Sequence, residues 1–280
     1  MIRRLIHISR PVLWINTIGT VAVGMWLSGT LWDAKVLPLL LWATLPFNLL
    51  IYGVNDVFDQ ETDALNPRKG SFGGARISRS EVRLILLGVA ATNAPFAVLF
   101  ALTLPADALV WISLYALVFL GYSVPPLRFK ARPYLDSLSN AAYAFPLVFV
   151  PLALGGSPVW AAALGLMAWS AAKHTFDAVQ DIDEDRRAGL ATTATQLGPR
   201  GVVLWSGLFW TLSTALFALV SVPVALVVGT IAAFLLVSLQ RKPSPATGRR
   251  LYPVSIAYPY LAGTFAGVLL VAALALGVYG

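Results

Sequence analysis

The sequence predicts an all-α fold, a polytopic membrane helical bundle of nine transmembrane helices with a cytoplasmic cap, organised as a single domain over 1–280. Three observations carry that prediction. Of 280 residues, 58% are hydrophobic and 12% charged, whereas about a quarter of an ordinary soluble domain is charged. Apolar runs recur at about the 20-residue length that crosses a bilayer. Basic side chains gather on alternate connections, as they do on the cytoplasmic side of a membrane.

The expected spans are 11–30, 37–55, 82–103, 107–124, 137–155, 158–176, 202–220, 223–239 and 254–279. The opening Met1–Trp14 has the charged start and apolar run of a signal peptide, but no small-residue cleavage site follows, so it leads into the first span. The second and sixth spans each end on an acidic cluster, and the fifth follows a proline-rich loop. Between 202 and 239 the chain is apolar throughout and is divided only by the turn-like Ser221-Val222-Pro223. Without that turn the count would be eight.

Charge decides between the two counts. With nine spans, 19 of the 20 Lys and Arg residues fall on one side and only Lys35 on the other. Merging the seventh and eighth spans would send Arg241, Lys242, Arg249 and Arg250 to the opposite face. The N-terminus and the basic loops are therefore expected in the cytoplasm. The net charge of +7 borders apolar spans and forms no soluble basic face, which suits anionic lipid head groups and excludes nucleic acid as a partner. There is no cysteine, so disulfides and thiolate metal sites are excluded.

All but two of the 13 acidic residues, Asp33 and Asp107, lie on the basic side, and nine of those form two clusters. The first reads NDVFDQETD from Asn55 to Asp63, the second DAVQDIDED from Asp177 to Asp185. Asn55, Asp59 and Asp63 recur 122 residues later as Asp177, Asp181 and Asp185. This suggests an internal repeat with halves at about 1–124 and 125–280, an arrangement common where a membrane site lies between two halves. Residues four apart share one side of a helix, so each motif stacks its oxygens in a stripe. Like charges so placed repel one another, and near hydrocarbon they need a cationic partner. Mg²⁺ suits carboxylate and amide oxygens and recruits substrate phosphates, so two such clusters are expected to hold a diphosphate. A solvated acidic loop is the plainer reading of either cluster alone, and calcium the other occupant, although its loops use closer, glycine-hinged spacing. Glu61, Asp183 and Glu184 fall off the stripe.

A departing diphosphate also needs positive charge. Arg68 and Lys69 in NPRKG, Tyr122, Arg128 and Lys130 in YSVPPLRFK, and Arg186 with Arg187 after the second cluster are the groups at hand. Each could equally be a head-group anchor. The paired prolines favour a shaped loop that holds Lys130 in place. The run Gly70–Ala75 lacks the strand and helix of a nucleotide-binding loop and reads as a flexible cap. His174, one turn before Asp177, could orient a ligand, take a proton, or be a satisfied polar residue.

These motifs resemble those of the UbiA superfamily of intramembrane prenyltransferases: Asn55-Asp56-x2-Asp59-x3-Asp63 is similar to its first aspartate motif and Asp177-x3-Asp181-x3-Asp185 to its second. The resemblance covers the whole chain and implies that Asn55, Asp59, Asp63, Asp177 and Asp181 bind Mg²⁺ and diphosphate, with Asp56 and Asp185 close by. It implies catalytic roles for Asp59, Asp63, Asp181, Lys130 and Arg68, and donor contacts from Arg68, Lys69, Tyr122, Arg128, Lys130 and Arg186. Quinone-forming members carry Tyr-x3-Lys in the loop before the fifth span, and this chain does not. Its loop, with NPRKGSFGGA and FDAVQDIDEDRRAGLATTATQLG, is similar to lycopene elongases. The expected reaction is Mg²⁺-dependent transfer of an isoprenoid group from an allylic diphosphate donor to a lipophilic acceptor from the bilayer, dimethylallyl diphosphate to lycopene or a similar acyclic carotenoid. An aromatic or porphyrinoid acceptor is the alternative. An ion-coupled transporter would place acids near mid-span, whereas both clusters here adjoin loops.

Overall fold

The structure, a computed structural model, describes residues 2–60 and 75–278, and every regular element among them is helical. The chain forms two compact units, Met1–Arg128 with Pro146–Pro158, and Phe129–Phe145 with Val159–Gly280.

In the first unit a short helix, Ile2–Ile8, precedes Ile15–Leu27. A long helical stretch follows over Ala34–Phe58, then Arg79–Thr103 and Ala106–Ser123, and Pro146–Ala153 completes the unit. Ile15–Leu27 lies close against Pro146–Ala153 because Gly24 has no side chain: a Cβ there would stand 2.7 Å from the Pro146 carbonyl oxygen. Small residues allow this approach of helices where lipid supplies no hydrophobic force between them. The aromatic core stacks Phe47 on Tyr115 at 4.3 Å between ring centroids and sets Trp42 edge-on to Phe100 at 5.4 Å. Proline and a wide turn interrupt the stretch Ala34–Phe58, and side chains take up the backbone groups left over. Asn48 Nδ2 donates to the carbonyls of Ala43 and Thr44, both at 2.8 Å, and Asn93 Nδ2 to that of Pro46 at 2.8 Å.

In the second unit Trp160–Asp177 packs against Thr193–Ala218, with Val222–Arg241 and Pro245–Ala275 beyond. Trp169, Phe176, Trp210, Leu235 and Tyr258 form the centre, and Tyr258 Oη donates to the Val228 carbonyl at 2.7 Å. The turn expected at 221–223 is present: Ser221 is extended, its hydroxyl accepts from Val224 N, and Pro223 sits in the first turn of the next helix. Thr193–Ala218 bends at Gly198, whose φ of 64° is open to glycine, followed by Pro199.

Among the described residues, six helices are long and apolar enough to cross a membrane: Ala34–Phe58, Arg79–Thr103, Ala106–Ser123, Thr193–Ala218, Val222–Arg241 and Pro245–Ala275. Their outer faces leave large apolar side chains exposed, among them Leu102, Leu204 and Leu226. So much open apolar surface is foreign to a protein in water and suited to lipid. The other three expected spans are shorter or less uniform. Pro11–Leu27 is a shorter apolar helix, and Trp160–Asp177 carries Lys173, His174 and Asp177 in its last turns. The run 137–155 is broken into Leu135–Leu138, a 3-10 stretch Ser139–Ala144, and Pro146–Ala153. Proline lacks the N–H that would carry one helix through this point.

Candidate active site

The first acidic motif follows a wide π-helical turn, Leu49–Gly53, that rotates the start of Val54–Phe58 relative to the helix before it. The motif's own members then divide. Asn55 and Asp59 are partly accessible, whereas Asp56 is 1% exposed. Arg10 Nη2 meets Asp56 Oδ1 at 2.7 Å, and the same guanidinium lies 4.6 Å above the Tyr52 ring. A buried carboxylate needs such a partner. Asn55 Nδ2 donates to Ser123 Oγ at 2.9 Å, which fixes the direction of its amide. Asp59 stands just past the helix end, with φ −105° and ψ 4°. Asp63, Arg68 and Lys69, with Glu61 and Gly70–Gly74 of the expected cap, lie outside the described residues. Ala75, the last residue of that run, is buried with Leu5, Ile8, Leu49 and Ile85.

The second motif is not one continuous α-helical stripe. Asp177 closes Trp160–Asp177, Ala178–Asp181 is a 3-10 turn, and Asp185 lies within Ile182–Arg187. From the preceding turn through the motif, Lys173, His174, Asp177, Ala178, Asp181, Glu184 and Asp185 are partly accessible, while Thr175, Phe176, Val179 and Gln180 are buried. Tight packing surrounds the 3-10 turn. Gly248 passes so close that a Cβ would meet Gln180 N at 3.0 Å and Val179 Cγ1 at 2.9 Å. Arg249 Nη1 donates to the Gln180 carbonyl at 3.1 Å.

Asp177 is held at both oxygens: Lys173 Nζ donates to Oδ2 and Ser255 Oγ to Oδ1, each leaving further lone pairs. Lys173 thus supplies part of the positive charge that the row of acids requires. Its four-residue spacing to Asp177 is visible in the sequence and was the available signal. Arg186 is exposed and donates to the Thr195 carbonyl at 3.1 Å, and Arg187 lies 3.6 Å from Glu184.

Sequence reasoning missed Asp136, a 1% exposed carboxylate outside both clusters. Its two oxygens accept from Thr193 N at 3.1 and 3.0 Å, and Thr193 Oγ1 donates to Oδ1. His174 Nε2 stands 4.0 Å from Oδ2. Tyr134 N donates in turn to Thr193 Oγ1 at 2.7 Å. This joins the segment carrying Lys130 to the start of Thr193–Ala218. Lys130 itself sits partly buried in the 3-10 turn Phe129–Ala131. Tyr122 is partly buried at the end of Ala106–Ser123, and Arg128, at φ 40°, follows the shaped turn at Pro125-Pro126. The buried Nε of Arg128 has no hydrogen-bond acceptor among the described residues.

No group of three or more His, Cys, Asp or Glu side chains among the described residues is gathered closely enough to hold a metal. The donors available are nonetheless all hard oxygens: Asn55 and Asp59 in one unit, Asp177 and Asp181 in the other. Carboxylate and amide oxygens of this kind suit Mg²⁺, which keeps several waters and takes its remaining ligands from phosphate.

A helical membrane fold bearing two oxygen-rich motifs and flanking cations is the frame of an enzyme acting on a diphosphate. The chain matches the UbiA prenyltransferase family model over residues 17–257 and belongs to that family. It is accordingly a prenyltransferase and an integral membrane protein. It is 38% identical over 227 residues to a lycopene elongase/hydratase of Halobacterium salinarum, covering 79% of this chain and 81% of that one. The lycopene elongase/hydratase of Haloarcula japonica is 37% identical over 218 residues, 76% of this chain and 73% of the relative. Among solved structures, a UbiA homologue from Archaeoglobus fulgidus bound to DMAPP and Mg²⁺ shares the fold at a TM-score of 0.66 and 22% identity, covering 93% of this chain and 99% of that one.

Proposed function

We propose that this enzyme transfers a five-carbon unit from dimethylallyl diphosphate to lycopene or a similar acyclic carotenoid. The observation that carries this reading is the 38% identity, over most of both chains, to a protein named lycopene elongase/hydratase. The chemistry of the chain supports it. The spans offer little to receive the carboxylate of an aromatic acid, and burying such a charge unpaired is costly. A hydrocarbon polyene needs only apolar walls, which also keep water from a reactive cation.

In this reading Asn55, Asp59, Asp63, Asp177 and Asp181 hold Mg²⁺ and diphosphate. Asp185 stands one turn beyond, and Asp56 braces the first motif through Arg10. Bound Mg²⁺ would neutralise charge on the leaving diphosphate. Arg68, Lys69, Tyr122, Arg128, Lys130 and Arg186 bind the donor, with Lys130 and Arg68 assigned to stabilise the charge that develops as the carbon–oxygen bond breaks. Purified protein with Mg²⁺, lycopene and dimethylallyl diphosphate should yield products heavier by one or two five-carbon units, read by mass, and leave 4-hydroxybenzoate unmodified. Prenylation of 4-hydroxybenzoate with no addition to lycopene would move the acceptor to the aromatic class.

The same reading places nine spans in one domain, with the N-terminus and the loops of both motifs in the cytoplasm beside anionic lipid. The chain has no cysteine, so single cysteines report topology cleanly. A cysteine at Thr247 should be labelled only from the cytoplasm and one at Ser157 only from outside. Labelling of both from one side would remove the nine-span topology.

A further inference from the structure

Lys173 and Ser255 lie outside both motifs, yet each donates to Asp177, Lys173 Nζ to Oδ2 and Ser255 Oγ to Oδ1. The ion pair is not one that a helix by itself would select. Asp177 closes Trp160–Asp177, at the end where the helix macrodipole is negative and a further negative charge is disfavoured. A lysine four residues before an acid is also the weaker of the two orders for a pair on a helix surface. The carboxylate therefore stands where a cation is needed, and Lys173 brings one up to the motif.

We propose that Lys173 is a specificity-determining residue of the second motif: its ammonium holds Asp177 against free Mg²⁺ and favours Mg²⁺ that arrives with diphosphate, so that metal and donor are taken up together. The inference rests on the assignment of Asp177 and Asp181 to Mg²⁺ and diphosphate above. Charge is the first support. Lys173 offsets one of the two carboxylates, so a lone dication meets a half-neutralised pair and an ammonium that repels it. Diphosphate brings more negative charge than one Mg²⁺ removes, and the same ammonium attracts that combination. The side chains of Lys173 and Asp177 are 14% and 20% exposed, so water screens these effects only in part.

The surroundings single out Lys173 for this part. Arg249 and Arg187 are directed at Glu184, beyond the row of Asp177 and Asp181. Lysine carries a compact charge on a flexible four-carbon stem, so its ammonium can pass from a carboxylate oxygen to a phosphate without movement of the helix. Ser255, fully buried on Pro245–Ala275, meanwhile holds the other oxygen of Asp177.

The test measures two affinities on protein checked as folded by size exclusion in detergent. Mn²⁺ alone is followed by loss of its free electron paramagnetic resonance signal, and inorganic diphosphate at saturating Mn²⁺ by calorimetry. Wild type is compared with Lys173→Met, Lys173→Arg and Asp177→Asn. Lys173→Met keeps the stem and removes the charge. It should tighten Mn²⁺ alone about tenfold, the low end of what a neighbouring charge does to a carboxylate's hold on a cation, and weaken diphosphate by a similar factor. Lys173→Arg keeps the charge and should stay close to wild type on both. If the methionine variant does not fold, Lys173→Gln carries the same comparison. A lysine that only supports the helix end would weaken both affinities together or move neither, and either result in a folded variant overturns the proposal. Equal tightening of Mn²⁺ by methionine and arginine overturns it as well. Asp177→Asn should weaken Mn²⁺; if it leaves Mn²⁺ binding unchanged, the metal reading of Asp177 itself falls, and this inference falls with it.

Discussion

Asp59→Asn and Asp181→Asn should each lower turnover by roughly a hundred- to a thousandfold or more, the scale seen when one well-placed electrostatic contact to a reacting group is lost. Asparagine keeps the size of the side chain and one oxygen but removes the charge. Both positions are partly accessible, and neither lies in the packed centre of its unit. Asp56 differs: it is buried on Arg10, and its removal would disturb packing as well as chemistry. The two stripe variants should therefore remain folded while losing product formation. The check is initial rate against Mg²⁺ concentration, with thermal unfolding in detergent alongside. Wild-type rates in both variants, or full activity of the unaltered enzyme in chelator, would remove the metal–diphosphate reading.

Asp136→Ala should cause a marked loss of stability in the second unit. It would orphan the Thr193 N–H at the start of a 26-residue helix and remove the acceptor of the Thr193 hydroxyl. One unsatisfied buried group costs about 1–3 kcal/mol. It would also cut the link by which Tyr134 and Thr193 hold the segment bearing Lys130. The unfolding midpoint in detergent should fall by several degrees, and Asp136→Asn, which retains an acceptor oxygen, should recover most of that loss. Equal midpoints for alanine, asparagine and aspartate would show that Asp136 does not anchor this helix.

The membrane class, the second-unit turn at Ser221 and the two acid motifs were legible in the sequence because each rests on local pattern. A bilayer demands runs of apolar residues whatever their partners, and a proline two residues past an extended serine starts a helix on its own chemistry. The family resemblance was legible for the same reason, since its motifs are short and contiguous. Tertiary structure decided what happened inside those patterns. Asn55 and Asp56 are adjacent in sequence, yet one is partly open beside Ser123 and the other is shut against Arg10, because neighbours on a helix point about 100° apart and packing decides which direction is closed. The expected second stripe became helix, 3-10 turn and helix, with Gly248 packed close against Val179 and Gln180 at the turn. Asp136, Thr193, His174 and Ser255 stand far apart along the chain, and no spacing rule brings them together. Only the packing of Trp160–Asp177 with the elements around it places Asp136 and Thr193 beside His174, and Ser255 on Asp177. A buried carboxylate there persists because several donors converge on it, which sequence proximity alone does not supply.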